Sequence, residues 1–156
     1  MATLLELNGY QADDFKSWLD RGLRRQYYLS VRLRDPFGFR EIGIWGYESN
    51  LDALKTLFDR LSTEARQAFC EAVRQMILTA AVDDFPPDAM DDLIYLVAKI
   101  KAKQIALETF VSVIGEGVWG KRFPYMIYDC AAAMATWGLN NEREKLEAML
   151  RPAKQF

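Results

Sequence analysis

From Leu51 onward, apolar residues return every three or four positions. In "NLDALKTLFDRL", Leu51, Leu54, Leu57, Phe58 and Leu61 form one stripe, with Asn50 placed to cap the helix. Ser62 or Thr63 can open the next helix, where Ala65, Phe69, Ala72, Val73, Met76, Ile77 and Ala80 keep the helical period. "DDFPPD" breaks the chain. Pro87 suits a first helical turn, and Asp88, Asp91 and Asp92 complement the positive end of its dipole. Leu93, Ile94, Leu96, Val97 and Ile100 then make a wide apolar face, with Lys99, Lys101 and Lys103 near the helix end. The pattern predicts a shorter helix from about Gln104 to Ile114. Another runs from Pro124 to Trp137 and is closed by Gly138. A final helix, capped by Asn140 or Asn141 and carrying Leu146, Met149 and Leu150, stops at Pro152.

These helices fall into pairs. Pair starts at Leu51, Pro87 and Phe123 are 36 residues apart, while matching Ile94, Tyr95 and Ala98 to Ile127, Tyr128 and Ala131 gives an offset of 33. Both offsets are near the length of a two-helix repeat unit, about 33 to 47 residues. Stacked pairs bury a face that one pair alone leaves open.

Before Leu51 the signals are mixed. Phe15, Trp18, Leu19 and Leu23 define one amphipathic helix, with Asp13 and Asp14 in its first turn. "YYLSVRL" then alternates, "FREIGIW" is rich in aromatic and β-branched residues, and "DPFG" between them has turn chemistry. One reading of residues 27–45 is therefore a short β-hairpin.

The same stretch supports a second reading. "RLRDPFGFREIGIWGYES" resembles a HEAT-repeat junction, in which an Asp-Pro turn precedes an arginine and a small-residue helix leading to glycine. Asp35-Pro36, Arg40 and Gly46 take similar places; Gly43 and Ile44 stand where alanines are usual, and Arg40 is one residue out of spacing. With the later helix pairs, the resemblance covers about two thirds of the chain. It implies a stacked-helix fold whose usual role is protein binding, and it brings no catalytic residues. The expected fold is thus mainly α: one helical domain over 1–156, mixed over 1–47. Antiparallel pairs at 51–81, 87–114 and 123–151 stack in an α-solenoid-like, HEAT-like manner.

Composition narrows the function. An apolar content of 51% supports a folded globule, and a formal charge of −2 gives no global attraction to nucleic acid or anionic membrane. The N-terminus lacks a basic region leading into an apolar stretch, and no run approaches a membrane span, so a soluble cytoplasmic protein is expected. Cys70 and Cys130 sit in apolar, helix-periodic contexts, as buried reduced thiols do. Histidine is absent, which removes Ser-His-Asp and Cys-His catalysis and the commonest metal ligand. No catalytic residue, cofactor site or metal site is assigned.

Two patterns invite chemistry. Gly115, Gly117 and Gly120 have G-x-G-x-x-G spacing, but Pro124 delays the helix that should follow, and no second strand with a ribose-binding acid comes after. The glycines are expected to separate helices, with Trp119 packing or protruding near Phe123. Asp83, Asp84, Asp88, Asp91 and Asp92 lack the glycine and terminal glutamate of a calcium loop, and capping accounts for the last three.

The remaining signal is basic. Residues 21–40 hold six arginines against one acid, Asp35, interleaved with Tyr27, Tyr28, Phe37 and Phe39, whereas residues 48–98 are strongly acidic. Arginine and aromatic residues are enriched at protein interfaces. Arg24, Arg25, Tyr27, Tyr28, Arg32, Arg34, Arg40, Trp45 and Trp119 are accordingly the candidate partner-binding residues. The leading reading is a non-catalytic protein-binding module, an adaptor, regulator or subunit of a larger assembly, whose partner offers an acidic surface or is a second copy of the chain. A nucleic-acid-associated factor using residues 21–40 is second, since such segments can hold phosphates and stack on bases. An enzyme using carboxylates or lysines is third.

Overall fold

The computed structural model describes residues 2–27, 35–102, 105, 107–115, 117–139, 144, 147 and 148. The described residues form helices and turns, with no strand among them. They divide into two compact units, Met1–Thr79 and Ala80–Phe156.

In the first unit, α1 (Leu4–Asn8) starts at Thr3, whose hydroxyl accepts from the Glu6 amide. α2 (Ala12–Tyr27) opens with Asp14 reaching back to the Gln11 amide at 2.9 Å, which satisfies a donor that the first helical turn leaves free. Its Phe15, Trp18, Leu19 and Leu23 are buried, as the periodicity predicts. α4 (Asn50–Arg60) is capped by Ser49, one residue before the expected Asn50, whose amide instead donates to Gln26. α5 (Thr63–Thr79) takes Ser62 as its cap, and Asn8 accepts from the Ser62 amide at 2.9 Å, tying the end of α1 to the start of α5.

The core of this unit lies between α2 and α5. Phe15 meets Phe69 edge to face at 5.4 Å, with Tyr10 and Phe58 extending the chain of rings on either side. Each such pair adds about 0.5–1.5 kcal/mol beyond area burial.

The described part of residues 27–45 departs from the hairpin reading. Tyr27 ends α2, and "FREI" is a four-residue helix, α3 (Phe39–Ile42). Local hydrogen bonding overrides the β-branched pattern. Asp35 accepts from the amides of Phe39 and Arg40, at 2.8 and 3.2 Å, and so holds the donors of the first turn. Gly38 and Gly43, both at positive φ, bound the turn on either side. Residues 28–34, including the "LSVRL" part of the proposed hairpin, lie outside the described residues.

The second unit is built on α6 (Pro87–Ile100) packed against α9 (Tyr125–Trp137). Pro87 occupies the first turn of α6, and Gly138 closes α9 in the left-handed conformation, both as the sequence indicates. α6 ends at Lys101 at φ 55°, with paired bonds from Lys101 and Ala102 to the carbonyls of Ala98 and Val97. Between the long helices run α7 (Leu107–Phe110), a π-helical turn (Val111–Gly115) and α8 (Val118–Arg122). The expected final helix falls mostly outside the described residues.

Leu57, Phe69, Val73 and Ile77 in the first unit, and Leu93, Val97, Ile100 and Ala131 in the second, are all buried on packed helices. Helix packing is thus present within each unit. Among the described residues, no helix is long and apolar enough to cross a membrane.

Candidate functional site

Sterics account for two of the three glycines. Gly120 lies inside α8, and a Cβ there would fall inside the Ile114 carbonyl oxygen. At Gly117 a Cβ would overlap the carbonyls of Val113 and Ser112. These glycines let α8 sit backbone to backbone on the π-helical turn, and the groups beside them are carbonyl oxygens, which a phosphate would repel. "TFVSVI" is helical, so the strand that a dinucleotide fingerprint requires does not precede them. Trp119 is 3% exposed; its indole N–H donates to the Ala80 carbonyl at 3.2 Å, and its ring meets Phe85 and Phe123. It is a core residue of the second unit, which corrects its assignment as a docking side chain. The tryptophan of an apolar loop packs wherever a buried carbonyl can take its N–H.

The acidic stretch carries one arrangement beyond capping. Asp91, on α6, shares a hydrogen bond with Asp129 of α9, and Tyr95 donates to Asp129 Oδ1 at 3.5 Å. Asp91 Oδ1 is buried with no hydrogen-bond partner among the described residues. Burial, the bond to Asp129 and the charges of Asp129, Asp88 and Asp92 push the Asp91 carboxyl up to about 7. Burial first, and the same carboxylates second, also raise the Tyr95 and Tyr125 hydroxyls and the Cys130 thiol. Cys130 is therefore a buried, inert thiol. Among the described residues, no group of three potential ligands is arranged to hold a metal ion.

This pair has a testable sign. The folded chain holds the Asp91 proton up to about pH 7, whereas the free carboxyl releases it near 3.8. Between those values the folded state binds more protons than the unfolded state, so this contribution to stability is full below about pH 4. It is lost as pH rises to about 7. Asp91→Asn supplies an amide donor to Asp129 at every pH. The melting temperature of the variant relative to wild type should climb from pH 4 to pH 8; a constant difference would show that the two carboxyls do not share a proton.

The basic–aromatic segment divides. Arg24 pairs with Asp20 at 2.9 Å on α2, and Tyr27 is half-buried. Tyr28, Arg32 and Arg34 lie outside the described residues. Phe37 and Phe39 are buried, stacked on each other at 5.2 Å and against Trp18. Two of the aromatics counted for base stacking are thus core side chains, which takes a platform away from the nucleic-acid reading.

Arg40 and Trp45 do come together. The loop after α3 is anchored by buried Ile44, whose amide donates to the Phe39 carbonyl, and by Arg60, which donates to the Gly43 carbonyl at 3.0 Å. Gly43 and Gly46 turn the backbone at positive φ, and Trp45 stands out 66% exposed with Tyr47 near it in sequence, also exposed. The Arg40 guanidinium lies over the Trp45 ring at 5.7 Å. Tyr47 carried no signal in the sequence, because only the loop geometry leaves it outside.

A second feature of this unit joins residues far apart in sequence. Arg25 borders a cavity of about 370 Å³ together with Glu6, Tyr10, Trp18, Arg21 and Phe37. Helical spacing puts Trp18, Arg21 and Arg25 on one stripe, so that part was legible; the approach of Phe37 and α1 was not. No family model, curated protein or solved structure matches the chain.

Proposed function

We propose that the chain is a non-catalytic protein-binding module, an adaptor or a subunit of a larger assembly, that docks through Arg40 of α3 and the loop after it, which carries Trp45 and Tyr47. The observation that carries this reading is the exposure of Trp45 on an anchored loop. A tryptophan costs burial energy when left in water, and one held out by Ile44 beneath it and by the Arg60 bond is already ordered for a partner. Interface hot spots are enriched in tryptophan, tyrosine and arginine, the three residue types gathered here. The Arg40 guanidinium beside the indole offers several donors to a carboxylate, so the fitting partner has an apolar recess beside an acidic group.

The test is capture from native lysate on the immobilised chain, followed by purification of the retained protein and titration. Trp45→Ala should weaken that partner by at least tenfold, the loss expected of a hot spot. Its effect on folding should stay within about 0.5 kcal/mol, since the ring is mostly in water. Arg40→Glu should weaken the same partner by reversing charge beside the ring. Equal binding by wild type and both variants would remove this loop as the docking surface.

A further inference from the structure

The cavity in the first unit has a chemistry that protein docking through Trp45 does not use. Its charged members are Arg21, Arg25 and Glu6, and its aromatic walls are Tyr10, Trp18 and Phe37. Trp18, Arg21 and Arg25 occupy successive turns of one face of α2, and Gly22 lies beside them. That glycine shapes the site. A Cβ at Gly22 would fall inside the Phe37 ring, so the ring lies directly on the helix backbone and closes one side of the cavity. Trp18 meets Phe37 at 5.5 Å with the planes tilted by 55°.

The charges are unbalanced. The acid of α2 nearest to hand, Asp20, is committed to Arg24 at 2.9 Å. Arg21 and Arg25 have no ion pair among the described residues, and like charges four apart on a helix destabilise it. Glu6, whose carboxylate accepts from the Thr3 hydroxyl, offsets one of the two. A net positive charge remains in a recess with three aromatic walls, and the volume falls within the range of small-ligand sites, about 300–1,000 Å³.

We propose that this cavity binds a planar organic anion, an aromatic ring bearing a carboxylate or a phosphate. The ring packs among Tyr10, Trp18 and Phe37, while Arg21 and Arg25 donate to the acid group, which guanidinium groups recognise with paired donors. This inference is independent of docking through Trp45, which lies on a different loop.

The test uses the full chain labelled with nitrogen-15, following the indole N–H resonance of Trp18, identified by its loss in Trp18→Phe. Benzoate and phenyl phosphate are titrated to millimolar concentration, and the tighter of the two tells carboxylate from phosphate. Benzyl alcohol supplies the ring without charge, and inorganic phosphate the charge without a ring. A saturable shift with at least one aromatic anion, at least tenfold tighter than with either control, is expected. Arg21→Gln with Arg25→Gln should raise the dissociation constant at least tenfold with a melting temperature no lower than wild type, both side chains being exposed and their mutual repulsion removed; the single variants serve if the pair melts early. The proposal is overturned if neither aromatic anion shifts Trp18 saturably. Equal binding of benzyl alcohol or of inorganic phosphate also overturns it, as does undiminished affinity in the arginine variants.

Discussion

Gly120→Ala should destabilise the 80–156 unit by about 3 kcal/mol, the upper end of what overpacking usually costs. The added methyl falls inside the Ile114 carbonyl oxygen, a backbone atom that no rotamer change can move aside. α8 would have to lift off the π-helical turn and take Trp119 with it, breaking the indole bond to Ala80. Urea unfolding followed by tryptophan fluorescence reads this directly, with Gly9→Ala as the reference. Gly9 has an ordinary negative φ, and its new methyl would meet only the Glu6 carbonyl at 3.4 Å, so it should change stability by less than about 1 kcal/mol. Equal midpoints for the two variants would mean that the contact at Gly120 relaxes without cost. The expected result would also give Gly117 and Gly120 a packing role, since close backbone packing selects glycine as strictly as a phosphate does.

Phe69→Ala should cost about 3–5 kcal/mol, a large share of the 5–15 kcal/mol that holds an ordinary domain folded. The ring is 0% exposed and is touched edge-on by Phe15 from α2 and by Phe58 from α4, so its removal leaves a hole lined by rings that belong to different helices. Phe58→Ala, at the half-buried end of the same row, should cost distinctly less, because water can fill the space it leaves. Denaturant midpoints and near-ultraviolet circular dichroism of the two variants compare them. A loss at Phe69 no larger than that at Phe58 would show that α2 and α5 close up around the gap.

Much of the local structure was legible because helices announce themselves through short-range rules. The stripes of α2, α4, α5 and α6, the proline of α6 and the glycine that closes α9 are readable within one or two turns of chain. Of the two readings of this stretch, the hairpin one misses α3 for a short-range reason as well. "FREIGIW" has the residue types of a strand, but an aspartate four residues upstream holds its first amides, and that competition is invisible to a count of β-branched residues.

The candidate sites were legible only in part. Arginine and aromatic enrichment singled out residues 21–40 together with Trp45 and Trp119, yet it ranked the two tryptophans alike. Which of the two is buried depends on whether a partner for the indole N–H lies nearby in space; for Trp119 that partner is Ala80, far away in sequence. Asp91 looked like a helix-capping acid, and only the packing of α6 on α9 sets it against Asp129. The cavity beside Arg21 and Arg25 needs α1, α2 and Phe37 together.

By itself, then, the sequence determined that the described residues are helical, where the long helices α4, α5, α6 and α9 begin, and which faces they bury, because those properties follow from neighbours three and four residues apart. The tertiary structure alone decided which tryptophan stands in water, which carboxyls meet and why Gly117 and Gly120 are needed where they are. Each of those depends on atoms brought together from distant parts of the chain, and their positions follow from how whole helices pack rather than from any local pattern.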